Sequence, residues 1–151
     1  MDLKMAKEVV ESKKSVFAAF KEGKMIYSSS ARGVKPAMEF LALGTEVTRG
    51  SCVADRVIGK GSSMIISMSG CERIYAGVIS EDADKYLRGR KFDVTFGRRV
   101  DHIINRKGDG LCPVEKLLKG IEDPYEGLTV IKTFLKNIGR TRDELQEDAG
   151  V

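Results

Sequence analysis

Eight side chains are of types, and in places, that could bind or transform a small molecule: Arg32, Lys35, Asp55, Lys60, Ser80, Asn105, Cys112 and Glu115. Arg32 and Lys35 flank Gly33 in a polar loop that ends at Pro36, a residue suited to the first turn of a helix. Two cations beside a glycine, just ahead of a helix N-terminus, can hold a phosphate or carboxylate through charge and free backbone N–H groups together. The plainer alternative is a pair of solvated loop charges. Asp55 is read as standing at the mouth of a helix, where it can cap the first N–H groups and also hydrogen-bond a ligand or act as a general base. Lys60, in the same stretch, is a weaker electrostatic candidate. Ser80 joins an apolar run to the acidic sequence SEDADKYLRG, which puts a hydroxyl at a strand-to-helix junction, the end of the sheet where α/β folds bind ligands. Cys112 precedes Pro113 at the expected start of another helix, a setting that favours thiolate. Glu115, three residues on, opposes the thiolate by its charge and is placed to close an arrangement like a capping box.

Two chemistries follow. One is a pocket for an anionic ligand with Asp55 as its acid and Arg32, Lys35, Asn105 and Cys112 on its rim. The other is a metal-free enzyme in which Cys112 is the nucleophile and Asp109 or Glu115 assists. Other classes are excluded by what is missing. Three cysteines, Cys52, Cys71 and Cys112, show no CxxC spacing, so neither a disulfide framework nor a cysteine zinc site is indicated. The single histidine, His102, rules out a two-histidine metal site and reads as a partly exposed strand residue. No metal and no cofactor is expected. GKGSS is not a P-loop, because Ala54 occupies the first glycine position of that motif and Gly61 follows Lys60. A formal charge of +4 and a pI near 9.0 mildly favour anionic partners. Without an aromatic-interleaved basic stripe, a helix-turn-helix or a zinc finger, nucleic acid is not an expected partner. No apolar run approaches the ~18 residues of a membrane span and no secretory h-region is present, so a cytoplasmic protein is expected.

These residues must be positioned by one core, since 151 residues with 42% apolar content make a single domain, expected over 1–139 with a charged tail at 140–151. The periodicities give a helix over residues 2–13, then a hairpin from Ser15–Phe20 and Lys24–Ser30 turning at Gly23, then a helix from Pro36 to Gly44. In Gly50–Gly70, Val57, Ile58, Gly61, Met64, Ile65 and Met68 fit one face of a buried helix opened by Asp55. ERIYAGVIS reads as a central strand, the segment after Ser80 as a helix, KFDVTFG and VDHIINR as two further strands, and Pro124–Ile138 as an amphipathic helix stopped by Gly139. The fold class is α/β, a three-layer α/β/α sandwich with a five-stranded mixed sheet. The two apolar-faced terminal helices leave room for a homodimer.

The order of these elements, with ARGVKP, VADRVIGKGSS, YAGVIS and INRKGDGLCPVE, resembles a small uncharacterised prokaryotic family within the cytidine-deaminase-like fold. Deaminases of that superfamily carry a histidine or cysteine, an alanine and a glutamate at the start of the second core helix, and PCxxC at the next. Against that pattern the resemblance puts Val53 at a zinc-ligand position, Ala54 at the alanine and Asp55 at the proton-shuttling glutamate. It puts ISEDAD, with Ser80, Glu81 and Asp84 but no cysteine, where PCxxC would stand. Cys52 could replace the ligand only by a register shift and would lack thiolate partners. The resemblance therefore implies a zinc-independent deaminase-fold protein that binds a nucleotide, nucleoside or related small anionic ligand between the helix starts at Asp55 and Ser80. The alternatives are the Cys112 enzyme and a non-catalytic binding or regulatory module.

Overall fold

The computed structural model describes residues 1–104 and 112–149, with the backbone alone beyond Ile138. The elements in chain order are α1 (Asp2–Glu11), β1 (Phe17–Lys21), β2 (Lys24–Ser29), α2 (Lys35–Ala42), α3 (Thr45–Thr48), β3 (Cys52–Ile58) and α4 (Lys60–Ser67). They continue with β4 (Arg73–Ser80), α5 (Glu81–Gly89), β5 (Asp93–Val100), α6 (Pro113–Leu117) and α7 (Pro124–Ala149).

Glu22 and Gly23 both take positive φ, 52° and 80°, the handedness that lets a two-residue loop follow the twist of its strands and pair β1 with β2 antiparallel. The Asp2 carboxylate accepts from the N–H groups of Glu22, at 3.1 Å, and Gly23, at 2.8 Å, so the start of α1 is tied to that turn. β1 also pairs antiparallel with β3, and β3, β4 and β5 run parallel, giving the order β2-β1-β3-β4-β5. Two successive crossovers of the same hand, β3-α4-β4 and β4-α5-β5, put α4 and α5 on one face. That face holds the larger core, with Phe17, Val53, Ile74 and Ala76 from the sheet against Phe40, Ile65, Leu87 and Ile131 from the helices. The other face is covered by α1, whose Ala6 and Val10 meet Ala18, Ala54 and Tyr75. The architecture is α/β with a five-stranded mixed sheet and helices on both faces. No helix of the described residues is long and apolar enough to cross a membrane.

Five expectations are corrected. Val57 and Ile58 belong to β3, not to the helix, which starts only at Lys60. Asp55 therefore lies inside a strand, paired with Phe17 and Ala76, and caps nothing. The physical reason is that CVADRVI is a strand paired on both edges and buried along most of its length. Such a strand reads as an apolar run, and its end happens to prolong the helical spacing of α4. KFDVTFG does not stop at Gly97: β5 continues to Val100 alongside Ser80, and the chain bends at Asp101 and His102. VDHIINR therefore supplies no strand of its own through Ile104, which makes only an isolated bridge. The sheet has five strands because β3 takes the place given to that segment. The short α3 was not foreseen. Finally, α7 runs through Gly139 to Ala149, since one glycine costs a helix only about 1 kcal/mol and does not by itself end it.

Candidate functional site

Gly61, in the first turn of α4, fixes where a cavity can form. A Cβ there would come within 2.7 Å of Val114 Cγ1 and 3.0 Å of Val34 Cγ1. Glycine thus lets the loop before α2 and the helix α6 close directly onto α4. Around this contact lies a cavity of about 700 Å³, beyond the carboxyl ends of β3 and β5. Its walls are mostly apolar, from Val34, Ile103, Ile104, Val114, Phe134 and Ile138. Its polar groups are Arg32, the opening of α4 from Gly59 to Ser62, Cys112 and Glu115. The volume falls in the range of small-molecule pockets, roughly 300 to 1,000 Å³.

Each polar group has a distinct state. Gly59 is the N-cap of α4 in extended conformation and no side chain among the described residues caps the helix, so its first N–H groups keep their positive end of the helix dipole. Lys60 is buried at 5% exposure. Its ammonium donates to the Leu118 carbonyl at 2.9 Å and stands 3.5 Å from the Glu122 carboxylate. Its charge is therefore spent on holding the end of α6 against α4. Arg32 is exposed and has no ion-pair partner among the described residues. Glu115 is 9% exposed, and its Oε1 is buried with no hydrogen-bond partner among the described residues, against the Cα of Gly59. Cys112 is half-buried and is the N-cap of α6 without a side-chain cap bond; its N–H donates to the Ile103 carbonyl at 2.9 Å. The capping-box role foreseen for Glu115 is thus not taken up.

Of the residues singled out from the sequence, Arg32, Lys60, Cys112 and Glu115 share this cavity, while Asp55, Ser80 and Lys35 do not line it. Asn105 and Asp109 lie outside the described residues. Lys35 opens α2 on the surface and pairs with Glu39 at 3.8 Å. Ser80 is buried, and its hydroxyl is occupied in accepting from the Ala83 N–H at 3.2 Å as the N-cap of α5. Asp55 is 2% exposed, with Oδ1 accepting from the Val57 N–H at 3.4 Å and Oδ2 without a hydrogen-bond partner among the described residues. Burial pushes its carboxyl up to about 8, against smaller lowering by the Val57 and Arg56 backbone N–H groups and the Arg56 charge. It is an acid held neutral in the core. The pocket expected between the starts of the Asp55 and Ser80 helices is corrected accordingly. The structural counterpart of that first helix mouth is Gly59-Lys60-Gly61, and the cavity opens from it toward α6 and α7 instead of toward Ser80. His102 is exposed, in the bend after β5 and not, as expected, partly exposed in a strand. Phe134 and Ile138 were missed as lining residues. The helical spacing of Pro124–Ile138 marked Ile138 as core and left Phe134 off that face.

Fold and cavity together define an α/β protein with a ligand-sized pocket at the carboxyl ends of its parallel strands. The chain belongs to the TM1506 family, a domain of unknown function (DUF1893), whose profile matches residues 5–135. It is similar to the crystal structure of a DUF1893 family protein (TM1506) from Thermotoga maritima. The two are 25% identical with a TM-score of 0.79, over 87% of this chain and 88% of that one. No curated protein matches the chain.

Proposed function

We propose that this protein binds a small anionic ligand in the cavity between α4, α6 and α7, that a nucleotide or nucleoside is the class of ligand, and that it does so without zinc on a deaminase-like scaffold. The observation that carries the reading is the meeting, in one cavity, of a helix start without a side-chain cap, an exposed Arg32 with no ion-pair partner among the described residues, and an apolar wall that includes Phe134. A phosphate matches the first two. A base or sugar face matches the third.

The succession β3-α4-β4-α5-β5, with two helix mouths at the same end of the sheet, is what supports a deaminase-like scaffold. The residues at those mouths do not fit a zinc ion. Gly59-Lys60-Gly61 offers no ligand in the first. In the second the Ser80 hydroxyl caps α5, Glu81 pairs with Lys85 at 2.8 Å, and Asp84 pairs with Arg88 and Arg99 at 2.6 and 3.2 Å. Among the described residues no three His, Cys, Asp or Glu side chains gather as a metal-binding group.

Thermal unfolding in the presence of nucleoside monophosphates, nucleosides and free bases tests the reading. A ligand at about 100 times its Kd adds about 2.7 kcal/mol of stability, and Arg32→Ala is expected to weaken the effect of the phosphorylated ligands most. No stabilisation by any of them would remove the proposal. Stoichiometric zinc in protein purified without chelator would remove its zinc-free part.

A second reading is favoured by one observation: Cys112 and Glu115 line the same cavity, and the other two cysteines are buried. In it Cys112 is a nucleophile and Glu115 takes its proton. Alkylation of Cys112 faster than that of free cysteine is its signature.

A further inference from the structure

Glu115 is the one carboxylate among the described residues that lines the cavity, and its Oε1, closed off from solvent, has no hydrogen-bond partner among them. It is over nine-tenths buried, with its carboxyl and the Ile103 side chain both packed over Gly59, and a carboxylate oxygen accepts hydrogen bonds. A carboxyl oxygen buried without a partner is costly, and proteins keep such groups where something else completes them. The buried cation among the described residues that line the cavity does not complete it: the Lys60 ammonium is bound to Leu118 and Glu122. Arg32 is exposed in the loop before α2.

We propose that Glu115 makes this cavity selective for ligands that bring a protonated amine or amidine N–H to the wall formed by Gly59 and Ile103. The preferred occupant is then anionic toward Arg32 and the start of α4, apolar in the middle, and nitrogen-bearing at the end that meets the Glu115 carboxyl. This inference rests on the anion-binding reading of the same cavity and adds a second pole to it. A ligand lacking the nitrogen leaves Oε1 unpaired in the complex. A ligand carrying it gains a charge-assisted hydrogen bond at a site already shielded from water.

Matched pairs of simple probes test it: aminobutyl phosphate against butyl phosphate, and aminohexyl phosphate against hexyl phosphate, titrated calorimetrically into the wild-type chain and into Glu115→Gln. The wild type is expected to bind the amine-bearing member of at least one pair ~10-fold more tightly or better, and Glu115→Gln to bring the two members within ~3-fold. Without ligand, Glu115→Gln is expected to unfold at the same temperature as the wild type or higher, because Oε1 has no partner among the described residues for the substitution to remove. Equal affinity within every pair for the wild type, or an amine preference that survives Glu115→Gln, would overturn the inference. So would a lower melting temperature for the ligand-free variant, which would make Glu115 a group already partnered within the fold. If the plain alkyl phosphates or nucleoside monophosphates bind in an Arg32-dependent way while the amine adds nothing, only this inference falls. If no phosphate binds at all, the anion reading falls with it.

Discussion

Glu115 Oε1 occupies the space that a Cβ on Gly59 would need: the two would lie 2.9 Å apart. Gly59 has φ −95° and ψ −178°, a conformation open to any residue, so its lack of a side chain serves the carboxylate and not the backbone. Gly59→Ala is expected to cost about 1 kcal/mol in denaturant unfolding, the ordinary penalty for alanine at an N-cap, while displacing Glu115 and weakening ligand binding by ~10-fold. Unchanged affinity with a large loss of stability would instead make the contact a packing feature alone.

Asp55 sets a pH dependence of stability. Its carboxyl titrates at about 8 in the fold, because burial disfavours the charged form, and near 3.9 in the unfolded chain. Between those values the native state holds a proton that the unfolded state has lost. This contribution is therefore fully present below pH ~4, falls as pH rises toward ~8, and is flat above, by on the order of a few kcal/mol. Asp55→Asn cannot ionise. Its unfolding free energy is expected to lack that downward slope, as measured by urea unfolding at a series of pH values. The same slope in wild type and variant would show that Asp55 is not the buried acid responsible.

Lys60 and Arg32 should separate by phenotype. Lys60→Met removes the donor to the Leu118 carbonyl and is expected to destabilise by about 1–3 kcal/mol, the cost of leaving a hydrogen-bonding group unsatisfied. Arg32→Ala, at an exposed position, is expected to change stability by less than ~0.5 kcal/mol and to reduce binding of phosphorylated ligands. A stable Lys60→Met that loses binding would reverse these assignments.

The three cysteines are expected to react in a fixed order. Cys71 is buried and its thiol is pushed up to about 12, chiefly by burial, and Cys52 is likewise raised by burial; Cys112 is only half-buried. In the folded protein iodoacetamide should label Cys112 and leave the other two untouched, so selectivity alone says nothing about activation. The informative quantity is the rate. Modification of Cys112 no faster than free cysteine, and slowed by bound nucleotide, agrees with a residue that lines the cavity without acting as a nucleophile. Faster modification supports the Cys112 enzyme.

The parts of the fold legible in the sequence were those with local punctuation. The Glu22-Gly23 turn, the Ser80 cap with Glu81 and Asp82 behind it, and Pro36 in the first turn of α2 each mark a boundary through backbone chemistry, and each lies where it was expected. β3 carries no such mark. Paired on both edges and largely buried, it shows no alternation, and Val57 and Ile58 continue the spacing of α4 across Gly59. That error moved Asp55 from a strand interior to a helix mouth. The candidate site was half legible for a related reason. Cationic, nucleophilic and acidic residue types flagged Arg32, Lys60, Cys112 and Glu115, but which of them share a cavity depends on α6 and α7 folding over α4, a long-range contact permitted by Gly61 and invisible to local pattern.

The most direct test of the central claim is a two-dimensional amide NMR titration of the full chain with nucleoside monophosphates. Saturable shifts centred on Gly59, Lys60, Gly61, Ser62 and Val114, reduced in Arg32→Ala, are the predicted result. Absence of saturable shifts at ligand concentrations of about 5 mM, where even a millimolar Kd would be visible, or shifts centred instead on the Ser80 helix start, would contradict it.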